Sequence, residues 1–82
     1  MNTTMRAKFV VTGVTKHEGG SETVNFSAVC KSGGYPADGS DEDNTFAKFS
    51  PSASCSIQIA NPALYGSFEP GQKFYADFIP AP

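Results

Sequence analysis

The sequence predicts an all-β domain, a small antiparallel barrel or sandwich of four to five strands, of OB-like or SH3-like size. Three observations lead there. Apolar residues recur at every second position in four separate stretches, glycine and proline cluster between those stretches, and no helical period is long enough to lay a helix over a sheet. The 82 residues make one domain, and a chain of this size buries only roughly 60% of the surface its unfolded form exposes, so one small core is the ceiling.

The first strand is expected over Met5 to Lys16. Met5, Ala7, Phe9 and Val11 share one face, and Arg6, Lys8, Val10 and Thr12 the other. Gly13 breaks this phase before Val14, the mark of a bulge. Residues 1–4 precede the strand as a flexible polar tail, and Met5 offers a second in-frame start. In KHEGGSE, Gly19 and Gly20 supply the positive backbone angles of a hairpin turn. A second strand then runs from Glu22 to Lys31 with Val24, Phe26, Ala28 and Cys30 inward.

Residues 32–50 carry Gly33, Gly34, Pro36 and Gly39 and keep no period, which predicts a long loop with one helical turn near Asp43 to Lys48. Long loops in compact domains are usually functional or mobile. The third strand, Ala53 to Ala60, places Ala53, Cys55, Ile57 and Ile59 inward and Ser54, Ser56 and Gln58 outward. NPALYG reads as a miniature helix with Asn61 as N-cap, Pro62 at the first helical position and Gly66 as the stop. EPG turns the chain into the fourth strand, Lys73 to Ile79, where Phe74, Ala76 and Phe78 share a face; Pro80 and Pro82 end the sheet. Val10, Val29, Tyr75 and Ile79 fall on the outward phase of three strands, which points to a second buried surface and a homo-oligomer.

Charge and composition narrow the function. Six Lys+Arg against eight Asp+Glu give a net charge of −2, which offers no electrostatic footprint for duplex nucleic acid. No run approaches the roughly 20 apolar residues of a membrane span, and MNTTMRAKFV lacks the apolar stretch of a secretory leader, so the chain is expected in the cytosol with no membrane partner. Cys30 and Cys55 lack metal or redox spacing and are expected as two buried, reduced, inert thiols. His17, the one histidine, sits in a glycine turn away from any nucleophile. With no pairing of nucleophile and base, the chain is expected not to be an enzyme, and no cofactor is implied.

DGSDEDNTFAKFSPSAS, residues 38–54, draws the most attention. Oxygens at Asp38, Ser40, Glu42 and Asn44 imitate a calcium loop, but its sixth and twelfth positions hold Asp43 and Phe49 where glycine and a bidentate Glu are needed, so no metal site is read. The acidic half is expected as a hydrated loop. The other half supplies the groups that hold a phosphorylated, ring-bearing ligand: Asn44, Thr45, Phe46, Lys48, Phe49, Ser50 and Ser52, with hydroxyls and Lys48 for phosphate oxygens and rings for a base. Arg6, Lys8 and Lys31 project nearby as a candidate shared anion site. The simpler alternative has Phe46 and Phe49 capping an open barrel end while the polar groups close turns.

MRAKFVVTGVTK, YPADGSDEDNTFAKFSPSA and NPALYGSFEPGQKFYADFIPA together resemble a family of small proteins encoded by tailed bacteriophages, a likeness spanning nearly all of residues 5–81. The resemblance carries over no catalytic residue. It implies a phage accessory protein in the cytoplasm of an infected bacterium, or a minor part of the virion. Three roles follow in order of preference. The first is an oligomeric sponge that sequesters a small cyclic nucleotide defence signal, with Asn44 to Ser54 at a subunit junction. The second is a head decoration or assembly protein that docks on capsid protein. The third is an acidic DNA mimic that occupies a host protein, for which four clustered carboxylates are few.

Overall fold

The computed structural model describes residues 3–82 and is all-β: four antiparallel strands form a curled half-barrel. The strands are β1 (Met5–Lys16), β2 (Glu22–Ala28), β3 (Ser54–Ile59) and β4 (Lys73–Phe78), with one 3-10 turn over Pro62–Leu64. Their order in the sheet is β3-β2-β1-β4, so β3 and β4 are edges and the curl stops short of closure. The molecule measures 49 × 32 × 15 Å, and its short dimension is that of one sheet with loops on it. The expected tail lies partly outside the described residues, at Met1 and Asn2; Thr4 donates its backbone N–H to the Phe78 carbonyl at 2.7 Å.

β1 is the spine of the sheet. It pairs with β2 from Phe9↔Ala28 to Lys16↔Glu22 and with β4 from Met5↔Phe78 to Val10↔Lys73. The register slips between Val11 and Gly13, where the broken alternation predicts a bulge. The extra residue, Thr12, turns its hydroxyl to the Asn25 carbonyl at 3.2 Å, and the added twist helps the sheet to curl. At the hairpin, His17 N–H donates to Ser21 and Gly20 N–H to His17, with φ of 93° at Gly19 and 106° at Gly20. Ala7, Phe9, Val11, Val24, Phe26 and Ile59 make the buried core.

β2 ends at Ala28, not at Lys31. Val29 still donates its N–H to the Lys8 carbonyl at 2.9 Å, after which the chain leaves β1, and Cys30, expected inward, is exposed; Cys55 is half-buried, and both thiols are free. The ladder on β1 is continued by the long loop instead. The Asn44 side chain accepts from Lys8 N–H at 2.8 Å and donates to the Val29 carbonyl at 2.7 Å. Thr45 then exchanges bonds with Arg6: its N–H donates to the Arg6 carbonyl, and its hydroxyl accepts from Arg6 N–H, both at 2.9 Å. One side-chain amide thus stands in for a peptide group of a missing strand.

Where one helical turn is expected near Asp43 to Lys48, the chain makes a single hydrogen-bonded turn, Ala47 N–H to the Asn44 carbonyl at 3.0 Å, and no helix. Asp41 Oδ1 accepts from the N–H groups of Asp43 and Asn44, a tight acidic turn that sets the Asn44 amide in place. The loop closes on itself through Phe49 N–H to the Gly39 carbonyl at 2.8 Å. Gly39 has φ 73°, and a Cβ there would strike the Phe49 ring; Phe49 itself sits at φ 63°. Gly39→Ala is therefore expected to cost about 1–3 kcal/mol through backbone strain and displacement of that ring, read as a lowered urea midpoint, whereas Gly34→Ala lacks the steric part because nothing lies near its would-be Cβ.

The short turn after β3 is built as its residues predict. Asn61 Oδ1 accepts from Ala63 N–H at 3.1 Å and Pro62 opens the turn. Gly66 follows with φ 78° and donates its N–H to Glu22 Oε1 at 3.1 Å, which gives that buried carboxylate a partner.

Candidate functional site

Because the half-barrel has no second layer, its concave face is only partly covered. The inward phase of the strands is apolar throughout: Ala7 and Phe9 from β1, Phe26 from β2, Ile57 from β3, and Phe74, Ala76 and Phe78 from β4. These line an open trough of about 630 Å³, with Phe46, Phe68 and Ser52 to Cys55 completing its walls. Phe26 lies at the centre of a ring cluster, edge-on to Phe68 at 5.9 Å and to Phe74 at 6.5 Å, and 6.0 Å from Phe9. Phe68 and Phe74 are 5.1 Å apart. Toward the edges the cover fails: Ile57 is 48% exposed, Phe74 39% and Phe78 50%. Large apolar side chains at such exposure form one continuous concave patch rather than scattered surface residues, which makes this face the candidate site.

The convex face carries Arg6, Lys8 and Asp77, and these charges are already engaged. Arg6 Nε and a second guanidinium nitrogen hold Asp77 at 2.6 and 3.0 Å, and the guanidinium carbon lies 4.5 Å from the centre of the Tyr75 ring. Lys8 Nζ approaches Asp43 Oδ2 at 3.4 Å, and the Tyr75 hydroxyl donates to Asp43 Oδ1 at 2.9 Å. Lys31 pairs with Glu42 at 3.1 Å. Arg6, Lys8 and Lys31 therefore do not form the expected anion site; each lies against a carboxylate of its own chain. The acidic loop is hydrated only in part: Asp38 and Glu42 are exposed, Glu42 with 73% of its side chain in solvent beside Lys31, whereas Asp41 is buried and Asp43 pairs with Lys8. Only Asp38 keeps a local role, its carboxylate held below the usual range by the backbone N–H of Ser40.

Titration follows these contacts. The Arg6 hydrogen bonds hold the Asp77 carboxyl below its ordinary value, so the pairing stabilises the fold above the unfolded carboxylate range, near pH 4, and the contribution disappears as pH falls through the lowered folded value. Asp77→Asn is expected to flatten the acid limb of stability against pH, measured by urea unfolding at stepped pH; an unchanged limb would contradict the pairing. The Tyr75 hydroxyl is pushed upward by its bond to Asp43. Tyr35, whose hydroxyl is shut from solvent with no hydrogen-bond partner among the described residues, is pushed up to about 12, first by desolvation and then by the neighbouring Cys30 thiol.

The seven loop residues expected in one site are distributed over several places. Asn44 is fully buried and its amide is spent on Lys8, Val29 and Asp41, so it is an anchor and not a ligand group. Phe46 and Ser52 reach the concave trough. Thr45 and Lys48 line a separate hollow of about 300 Å³ with Ser40, Asp41, Glu42 and Ala47. Phe49 folds back on Tyr35 at 6.0 Å, and Ser50 is exposed and lines neither cavity. Phe9, Phe26, Phe68, Phe74 and Phe78 carry the trough; Phe9, Phe26, Phe74 and Phe78 read from sequence as ordinary strand residues, and Phe68 carries no reading there. The available signal was the excess: more large inward side chains than one uncovered sheet can bury.

No group of three or more His, Cys, Asp or Glu side chains among the described residues is arranged to hold a metal ion. No helix among them is long and apolar enough to cross a membrane. Comparison with protein-family models, curated proteins and solved structures finds no match to this chain.

Proposed function

We propose that this chain is a phage-encoded accessory binding protein that acts by affinity rather than catalysis, taking the ring-bearing body of a small ligand into its concave trough as an oligomer. The observation that carries this reading is the trough itself, about 630 Å³ and walled by phenylalanine rings that are left partly open to solvent. Its volume falls within the roughly 300–1,000 Å³ of small-molecule sites. A cyclic nucleotide defence signal remains the ligand of choice: bases stack on aromatic rings without needing a dedicated hydrogen-bond code, and Ser52 lies at the wall as a hydroxyl for phosphate oxygens. The cations Arg6 and Lys8 play no part in this version, since both are held on the opposite face.

Isothermal titration with cyclic di-GMP and cyclic di-AMP, and fluorescence of anilinonaphthalene sulfonate as an apolar probe, test the two halves of the reading. Phe74→Ala is expected to weaken nucleotide binding about tenfold, the effect of one lost stacking contact of roughly 1–3 kcal/mol. Binding of the apolar probe alone would keep the trough and remove the nucleotide; binding of neither would remove both. A second reading, docking of the chain on a capsid lattice, is favoured by the exposure of Leu64 at 46% and Ile79 at 52%, both absent from the trough lining. Stoichiometric recovery from purified virions by mass spectrometry would decide for it.

A further inference from the structure

β4 is an edge strand whose guards against other strands are its short length and the charges of Lys73 and Asp77. Edge strands are ordinarily blunted by a bulge, an internal proline or an inward charge. β4 pairs with β1 without a slip and holds no Pro or Gly from Lys73 to Phe78. The Phe78 and Gln72 carbonyls accept from Thr4 and Val11 N–H at 2.7 and 2.8 Å, so the even-numbered backbone groups of β4 face β1. By the alternation of an antiparallel ladder, the N–H and C=O groups of Lys73, Tyr75 and Asp77 face the open edge, where the sheet has no further strand.

We infer that β4 pairs antiparallel with β4 of a second copy of this chain, in the register centred on Tyr75. This deepens the oligomer part of the function proposed above and does not depend on the ligand. The segment Lys73-Phe74-Tyr75-Ala76-Asp77 is complementary to itself about its middle. With Tyr75 opposite its own copy, Lys73 meets Asp77 of the second chain and Asp77 meets Lys73, so opposite charges face each other twice. Lys73 has no ion pair within its own chain among the described residues, while Arg6 leaves Asp77 31% exposed on its side chain. On the concave face the large Phe74 comes opposite the small Ala76. Each of Lys73, Tyr75 and Asp77 exchanges both backbone hydrogen bonds with its counterpart.

Other registers lose this match. Centring on Phe74 or Ala76 leaves Lys73 opposite an uncharged residue, and centring on Asp77 sets like charges together. The opposite edge, β3, turns the backbone of Ser54, Ser56 and Gln58 outward and has no charge to fix a register. The two-fold axis of the β4 pair is perpendicular to the sheet, so the concave faces of both copies lie on one side and the two troughs join into one continuous apolar channel.

Sedimentation velocity over a concentration series, without ligand, is expected to show twice the mass of one chain. Lys73→Glu is expected to weaken association about tenfold, since two exposed ion pairs of roughly 0.2–1 kcal/mol become repulsions. The double variant Lys73→Glu/Asp77→Lys swaps both signs and is expected to restore it, with circular dichroism to check the fold; Lys16→Glu, off the edge, is expected to change nothing. In a Cys30→Ser/Cys55→Ser background, Tyr75→Cys is expected to form an intermolecular disulfide, because directly opposed Cα atoms about 5.5 Å apart suit one. A monomer at every concentration overturns the pairing, and so does a dimer indifferent to Lys73→Glu. Either result leaves the ligand titrations to stand or fall by themselves.

Discussion

Asn44→Ala is expected to destabilise the fold by about 3–5 kcal/mol, since it strands the Lys8 N–H and the Val29 carbonyl at a cost of roughly 1–3 kcal/mol each and opens a void where a fully buried side chain stood. For a domain of this size that is a large share of the roughly 5–15 kcal/mol available. Asn44→Asp separates the two roles of the amide. A carboxylate still accepts from Lys8, but it cannot donate to Val29, and it stands 3 residues from the buried Asp41 whose oxygens the Asn44 nitrogens now occupy. Both variants are expected to unfold well below the wild-type urea midpoint, whereas Ser50→Ala, at an exposed loop position, should stay near it. A loss of under about 1 kcal/mol in Asn44→Ala would mean that the loop does not complete the ladder on β1.

Phe26→Ala should have a comparable effect. Its ring is 7% exposed and touches three others, Phe9, Phe68 and Phe74. Removing a buried aromatic costs about 3–5 kcal/mol, from lost transfer energy and from the cavity left behind. The outcome also distinguishes the floor of the trough from its rim. Phe78→Ala, at a position already half in solvent, should cost well under half as much in stability while still changing uptake of an apolar probe. Equal losses at Phe26 and Phe78 would show that the trough is covered in solution, as it would be in an assembly closing over the concave face.

The strands were legible because each follows a period of two, and that signal is local. The bulge at Gly13 and the glycine turns were legible for the same reason: they are properties of neighbouring residues. Asn44 was not. Its side chain bonds to residues 36 and 15 positions away, and no spacing in the sequence distinguishes an amide used as a peptide mimic from one offered to a ligand. The acidic run misled for a related reason. Clustered carboxylates read as solvated, but Asp41 is buried and Asp43 meets Lys8 only after β1 and the loop have come together. Glu22 was likewise invisible as a buried residue, since its partner is the backbone of Gly66 44 positions on. The trough lay between these extremes: its strand residues Phe9, Phe26, Phe74 and Phe78 were assigned to the correct face, Phe46 and Phe68 were not, and what periodicity could not tell was that nothing among the described residues comes down on top of them.

The pairing of β1 with β4 joins segments nearly a whole chain apart, as in the Arg6–Asp77 contact between residues 71 positions apart. Such distant closure places the domain among slow-folding topologies, with rates on the millisecond-to-second scale. Until β4 arrives, one flank of β1 stays bare, so a polypeptide halted before residue 73 presents a sticky template to its neighbours in the cell. Because Met5 and Phe78 end side by side, a short tether between them, with new termini cut into the glycine hairpin, would let those two strands meet first and speed maturation without altering the finished shape.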